Sequence, residues 1–335
     1  MAPPYALLDC GESGSTLRFL IPVALLVQGG ASFTGRGRLM ERPLKPYEDL
    51  FREKGVAWKL EDHILTVNGG RGYDALALDS GAYRLPGNVS SQFFTGLLFT
   101  LPLLNGDSTL MSTTPLESRD YLEMTRQALA AAGVTTRWAD ENTLCVPGGQ
   151  VYQPFTAAVE TDWSQAGFWY AADFLDSQVE IRGLDPDSAQ GDKVVSELYW
   201  KLARPGDAEI DVSGCPDLLP PLAVMAAVRS GTTRFTNAAR LRMKESDRLS
   251  TITAALTALG AEVHEEPDRL IIVGKLSLPG GTVDSANDHR IAMMAAIAAT
   301  GCTGPVTIRG AECVQKSYPD FWEVYRSLGG DIHVL

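Results

Sequence analysis

The sequence predicts an α/β (α+β) protein assembled from repeated β-α-β-α-β-β units, and three observations lead there. A segment recurs in which an amphipathic helix ends at glycine and is followed by a strand, a charged turn and a second strand. It is clearest at residues 51–67, 128–146 and 257–273, with weaker versions at 199–203 plus a trailing strand and at 327–335. Upstream of each copy lies another helix that is apolar on nearly all sides, as expected of a helix buried inside a domain. Finally, a length of 335 residues suggests about two domains.

The elements follow from local chemistry. In each amphipathic helix the closing glycine supplies the left-handed residue that stops the helix, and Asp, Glu or Asn turns the hairpin behind it. The apolar helices begin near Ser15, Ser91, Ser164, Asp217 and Asp288. Their spacing is about seventy residues, shortening to about fifty-five in the third unit. Each opens on small or polar residues (G-S-T, V-S-S-Q, D-W-S-Q, P-D and N-D-H-R), so their N-termini can surface at one rim while their bodies stay buried. Five units divide unevenly, two into residues 1–157 and three into 158–335. The chain also opens on one strand running straight into Gly11. Half a unit or more is therefore expected to be absent ahead of Met1.

Composition narrows the function. The formal net charge of −12 argues against nucleic acid or an anionic membrane as the main partner. An anionic substrate would have to be drawn by a local basic cluster. Five scattered cysteines without a C-x-x-C pair suit free thiols in a reducing cytosol, so a cytoplasmic location is expected. Four histidines without ligand spacing point to no metal. The longest apolar run, residues 19–27, is too short to span a bilayer, and no basic segment with an apolar core opens the chain.

One stretch concentrates charge. Residues 241–249 read L-R-M-K-E-S-D-R-L and place Lys244, Glu245, Asp247 and Arg248 at the mouth of a helix closed by Gly260. Cations at a helix N-terminus form a cradle for a multiply anionic ligand. The competing reading is a solvated i, i+4 charge ladder.

Seven segments in order bear on the choice: residues 9–18 (D-C-G-E-S-G-S-T-L-R), 37–43 (G-R-L-M-E-R-P), 89–92 (V-S-S-Q), Pro216-Asp217, 242–249, 287–290 (N-D-H-R) and 316–320 (K-S-Y-P-D). Together they closely resemble the EPSP synthase family, enolpyruvyl transferases of the shikimate pathway, over the whole chain. The resemblance implies a two-domain inside-out barrel of six units, five of them present here, with the active site in the interdomain cleft. It implies transfer of the enolpyruvyl group from phosphoenolpyruvate to the 5-hydroxyl of shikimate 3-phosphate by addition and elimination, with no cofactor. Those two small molecules would be the partners, bound by a monomer if the chain is complete, with self-association through an incomplete N-terminal domain otherwise.

By resemblance, Gly14, Arg38, Gln92, Arg248, Arg290 and Lys316 would hold phosphoenolpyruvate. Ser90, Ser91, Gln92, Ser118, Tyr121, Asp217 and Lys244 would hold shikimate 3-phosphate. Asp217 would act as base toward the hydroxyl and Glu245 would exchange the proton at C3. Plain helix capping remains the alternative for Ser90, Ser91 and Asp217. Glu12, Asp120 and Arg240 depart from the family pattern, and the family's early Lys-Ser…Arg segment has no counterpart. Two other readings stay open: a fragment that binds anions but turns over poorly, and the sister UDP-N-acetylglucosamine enolpyruvyl transferase, whose loop cysteine has no match between Cys10 and Cys145.

Overall fold

The structure, a computed structural model, describes residues 6–27, 29–69 and 78–335. The first five residues of the expected opening strand lie outside this range. Two compact units divide the chain, Met1–Ala158 and Val159–Leu335.

In the first unit, β1 (Ala6–Asp9), α1 (Gly14–Ala24), β2 (Ala31–Thr34), α2 (Lys45–Glu53), β3 (Val56–Glu61) and β4 (Ile64–Gly69) form one β-α-β-α-β-β repeat. A second repeat follows as β5 (Ala82–Leu85), α3 (Gln92–Thr100), β6 (Ser108–Ser112), α4 (Arg119–Ala131), β7 (Arg137–Trp138) and β8 (Thr143–Val146). Their sheets run β1-β2-β4-β3 and β5-β6-β8-β7, each with one parallel pair followed by antiparallel ones. The buried helices α1 and α3 pack closely. A Cβ on Gly96 would lie 2.4 Å from the Arg18 carbonyl oxygen and 2.5 Å from the Tyr47 hydroxyl, so only glycine permits that approach. Tyr47, Phe51, Phe93 and Leu97 are fully buried at this core.

The second unit contains α5 (Trp163–Phe174), α6 (Val195–Ala203), β9 (Ala208–Asp211), α7 (Leu219–Val228), β10 (Thr232–Thr236), α8 (Arg248–Ala258), β11 (Glu262–Glu266), β12 (Arg269–Val273), β13 (Gly281–Asp284), α9 (His289–Thr300), β14 (Val306–Arg309) and α10 (Phe321–Ser327). The sheet β11-β12-β10-β9 repeats the earlier order. Helices α7 and α9 are buried over nearly their whole length, the burial expected of helices apolar on all sides.

Two expected repeats are incomplete among the described residues. The third has its helices but no strand of its own: the strand after residues 199–203 is β9, which pairs with β10 of the next repeat. Val179 and Ile181 pack on the core in strand-like alternation and Leu184 also reaches it, yet no described strand pairs with them. The fifth has only the parallel pair β13–β14, and residues 331–335 form no strand. An alternating pattern specifies which face is buried but not that a neighbour will supply ladder hydrogen bonds.

Candidate active site

The charged stretch sits where α8 begins. Asp247 has extended backbone and its side chain accepts the Ser250 N–H at 3.2 Å, capping the helix. The next residue, Arg248, is only 1% exposed. Its guanidinium spreads over three carboxylates: Nη1 donates to Asp217 Oδ1 at 2.6 Å, Nη2 to Glu245 Oε2 at 2.5 Å and Nε to Asp288 Oδ2 at 2.9 Å. Lys244 sends its ammonium 3.2 Å from the same Asp217 oxygen. The solvated-ladder reading fails at this point, because the cations turn inward to meet acids on other elements.

Asp217 lies in a short 3-10 turn, Pro216–Leu218, whose capping residue is Cys215 with no side-chain cap. Its carboxylate is committed to ion pairs instead, including Arg290 Nη2 at 3.4 Å from Oδ2. Burial pushes the Asp217 carboxyl up, but Arg290, Lys244 and Arg248 outweigh it and hold it well below the usual carboxylate range. Burial likewise lowers the Lys244 ammonium, with Asp217 opposing.

Arg290 lies in the first turn of α9, whose cap is Asp288, a fully buried residue. Asp288 Oδ1 accepts the Arg290 N–H at 3.0 Å, and Oδ2 accepts the Ser246 hydroxyl at 2.9 Å. Burial raises its carboxyl while Arg248 pulls it down, and the net effect is a lowered pKa. Arg290 Nη1 also donates to the Asp217 carbonyl at 3.1 Å. Between them, burial, Arg290 and Arg248 lower His289 to about 4, so its imidazole is neutral at pH 7. Lys316 donates to the carbonyl of Asn287, the residue before this cap, at 2.7 Å. The second unit thus brings Asp217, Lys244, Glu245, Arg248, Arg290 and Lys316 into one neighbourhood.

The first unit assembles a smaller set. Gln92 is the first residue of α3, and its Oε1 accepts Arg18 Nη1 at 2.7 Å. Gly14 is the first residue of α1, beside two guanidiniums. A Cβ there would lie 2.7 Å from Arg42 Nη1 and 3.0 Å from Arg18 Nη1. The Ser90 hydroxyl accepts the Gln92 N–H at 3.3 Å, whereas Ser91 stands at the cap position without a side-chain cap bond. Capping therefore accounts for Ser90 and not for Ser91. Ser118 is buried with left-handed backbone at the start of α4, and Tyr121 lies in that helix's first turn. Arg38 is half-exposed, 3.7 Å from Glu41.

Sequence reasoning left several supporting residues unassigned. Arg18 was visible as a cation inside an apolar helix, and Asp288 as the Asp of N-D-H-R. Asp192 had no signal: it is buried beside Ser164, and burial together with Asp217 raises its carboxyl to about 6, against Arg290. Among the described residues no group of His, Cys, Asp and Glu could hold a metal ion, and no helix is long and apolar enough to cross a membrane. The five cysteines are free thiols.

Such a cradle of inward-turned cations and acids has relatives. A profile of EPSP synthase (3-phosphoshikimate 1-carboxyvinyltransferase) matches residues 1–325. The 3-phosphoshikimate 1-carboxyvinyltransferase of Clostridium kluyveri is 46% identical over 340 aligned residues, covering 96% of this chain and 78% of the relative. That of Clostridium acetobutylicum is 45% identical, covering 97% of this chain and 78% of the relative. A solved EPSP synthase from Acinetobacter baumannii superposes with a TM-score of 0.75 over 99% of this chain and 80% of its own, at 24% identity, which speaks to the fold alone. A profile spanning nearly every residue and relatives well above 40% identity leave one conclusion: the chain belongs to the EPSP synthase (3-phosphoshikimate 1-carboxyvinyltransferase) family.

Proposed function

We propose that the protein transfers the enolpyruvyl group of phosphoenolpyruvate to the 5-hydroxyl of shikimate 3-phosphate, releasing phosphate. The observation that carries this reading is a single guanidinium, Arg248, gripping both Asp217 and Glu245 with Lys244 and Arg290 alongside. Two carboxylates in one cationic setting can divide an acid and a base role. Asp217 takes the hydroxyl proton as the oxygen attacks C2 of phosphoenolpyruvate, and Glu245 protonates C3. Phosphate then departs from C2 while Glu245 recovers a proton from C3, forming the enol ether.

The cations explain the timing. With Arg290, Lys244 and Arg248 all turned on it, Asp217 is too weak a base to take a hydroxyl proton efficiently. Anionic substrates that draw Lys244 and Arg290 toward themselves withdraw that stabilisation and raise its basicity. In the second unit Arg290 and Lys316 hold phosphoenolpyruvate, a role the resemblance also implies for Gly14, Arg38 and Gln92 of the first. Lys244 holds shikimate 3-phosphate in the second unit, a role the resemblance also implies for Ser90, Ser91, Gln92, Ser118 and Tyr121 of the first. Arg248, saturated by carboxylates, orders the acids more than it grips the ligand.

The chain spans 78% of the length of the two Clostridium relatives it matches. The free thiols favour the cytoplasm as the working compartment.

The assignment of Glu245 is tested by Glu245→Gln, which should lower turnover by about a hundred- to ten-thousand-fold with substrate affinities little changed. A change under about threefold in steady-state turnover would show that Glu245 is not the acid–base group at C3.

A further inference from the structure

We infer that Arg242 is a positioning residue for this reaction, fixing the backbone that carries Lys244 and Glu245. The inference rests on the reading of Glu245 given above. Arg242 ends the charged stretch opposite Arg248, yet its guanidinium is spent on the β11–β12 turn and on the α8 cap. Nε donates to the Pro267 carbonyl at 2.9 Å and Nη2 to the Glu266 carbonyl at 2.7 Å. Nη1 lies 3.1 and 2.9 Å from the two Asp247 carboxylate oxygens and 2.7 Å from Glu265 Oε1. Ser250 closes the set, its hydroxyl donating to the same Glu265 oxygen at 2.9 Å.

This arrangement clamps both ends of a very short span. Arg242 is one anchor, tied to a hairpin. Asp247 is the other, tied to Arg242 and to the first turn of α8. Residues 243–246 lie between, and Ser246 is itself held to Asp288 at 2.9 Å. With a reach of at most about 3.6 Å per residue, so short a segment has little slack once both ends are fixed. The Lys244 and Glu245 side chains are then delivered to Asp217 and Arg248 by backbone geometry. An ammonium could replace the charge of Arg242 but not its fork, because the donors must reach two carbonyls and two carboxylates at once.

The test combines Arg242→Gln, Arg242→Lys and a double-mutant cycle with Glu245→Gln, read by single-turnover phosphate release from the purified chain. Arg242→Gln should slow release at least tenfold, with the apparent constant for phosphoenolpyruvate changed less than threefold. Arg242→Lys should recover only part of the loss. With shikimate 3-phosphate saturating, so that a weakened Lys244 contact is not read, the same change in the Glu245→Gln background should cost less than twofold, because a displaced group that is already disabled cannot be lost twice. Hydrogen exchange gives a readout independent of turnover: amides of 243–247 should exchange at least tenfold faster in Arg242→Gln, with α9 unchanged. Fully multiplicative losses, full rescue by Lys or unchanged exchange would each overturn the role of Arg242. A silent Glu245→Gln would instead remove the assignment of Glu245, leaving exchange to judge Arg242. If Arg242→Gln does not fold, Glu265→Gln removes one charged partner of the clamp and should show the same signature at smaller size, its absence counting against the clamp.

Discussion

Replacing Arg248 by alanine should destabilise the second unit severely, and the structure sets the scale. The guanidinium is 1% exposed and is the shared partner of Asp217, Glu245 and Asp288. Its removal leaves acids facing one another in a buried setting, and breaking a buried ion pair by deleting one partner costs about 3–5 kcal/mol. For a unit of this size each kcal/mol moves the melting midpoint by about 2–4 °C, so a fall of about 6–20 °C is expected in thermal melts at pH 7.5. The pH dependence has a definite sign. In the parent, Arg248 holds Asp288 below its ordinary range, so that stability is present above the unfolded carboxylate pKa and is lost only as pH falls through the lowered value. In Arg248→Ala, burial and the neighbouring Glu245 charge raise Asp288, so protonation relieves the strain and the gap from the parent should narrow between pH 7.5 and 5. Adding Asp288→Asn should restore part of the loss. A midpoint lowered by less than about 2 °C, or a gap that widens on acidification, would refute the view that this arginine neutralises a buried acid cluster.

Other consequences are open to simpler assays. Arg290→Ala should raise the apparent constant for phosphoenolpyruvate more than that for shikimate 3-phosphate, since a charge-assisted bond is worth about 1.5–3 kcal/mol; equal losses would make Arg290 an organiser of the site. Gly14→Ala should weaken phosphoenolpyruvate binding, because the added Cβ would press on Arg42 and Arg18; unchanged steady-state constants would count against that contact. Asp192, raised to about 6 in the fold, favours folding below the unfolded carboxylate pKa and loses that contribution as pH rises through about 6. Asp192→Asn should therefore melt higher than the parent at pH 7.5, with no advantage at pH 4; a lower midpoint at pH 7.5 would show that the ionised carboxylate supports Arg290.

Much of this was legible in the sequence, for identifiable reasons. The repeats could be read because their punctuation is local: Gly55, Gly133 and Gly260 all take the left-handed backbone that ends a helix. The buried helices α7 and α9 announced themselves by lacking a polar face. Strand pairing in the third repeat was not legible, since residues 179–182 alternate and only a neighbouring ladder decides whether they form a strand. At the site, the motif order located Asp217, Glu245 and Arg290, but not that Arg248 faces inward onto three acids. That depends on Asp288, brought alongside by the packing of α8 and α9 rather than by proximity in sequence. Asp192 was invisible for the same reason: its environment is made by residues from three other elements.

The central claim is that this cradle performs enolpyruvyl transfer to shikimate 3-phosphate, and phosphate release by the purified chain, made in a host lacking its own enzyme, tests it most directly. The account predicts release that requires both phosphoenolpyruvate and shikimate 3-phosphate, matches enol ether formed one for one, and falls by at least about a hundredfold in Glu245→Gln. Release supported by UDP-N-acetylglucosamine in place of shikimate 3-phosphate, or release indifferent to Glu245→Gln, would contradict it.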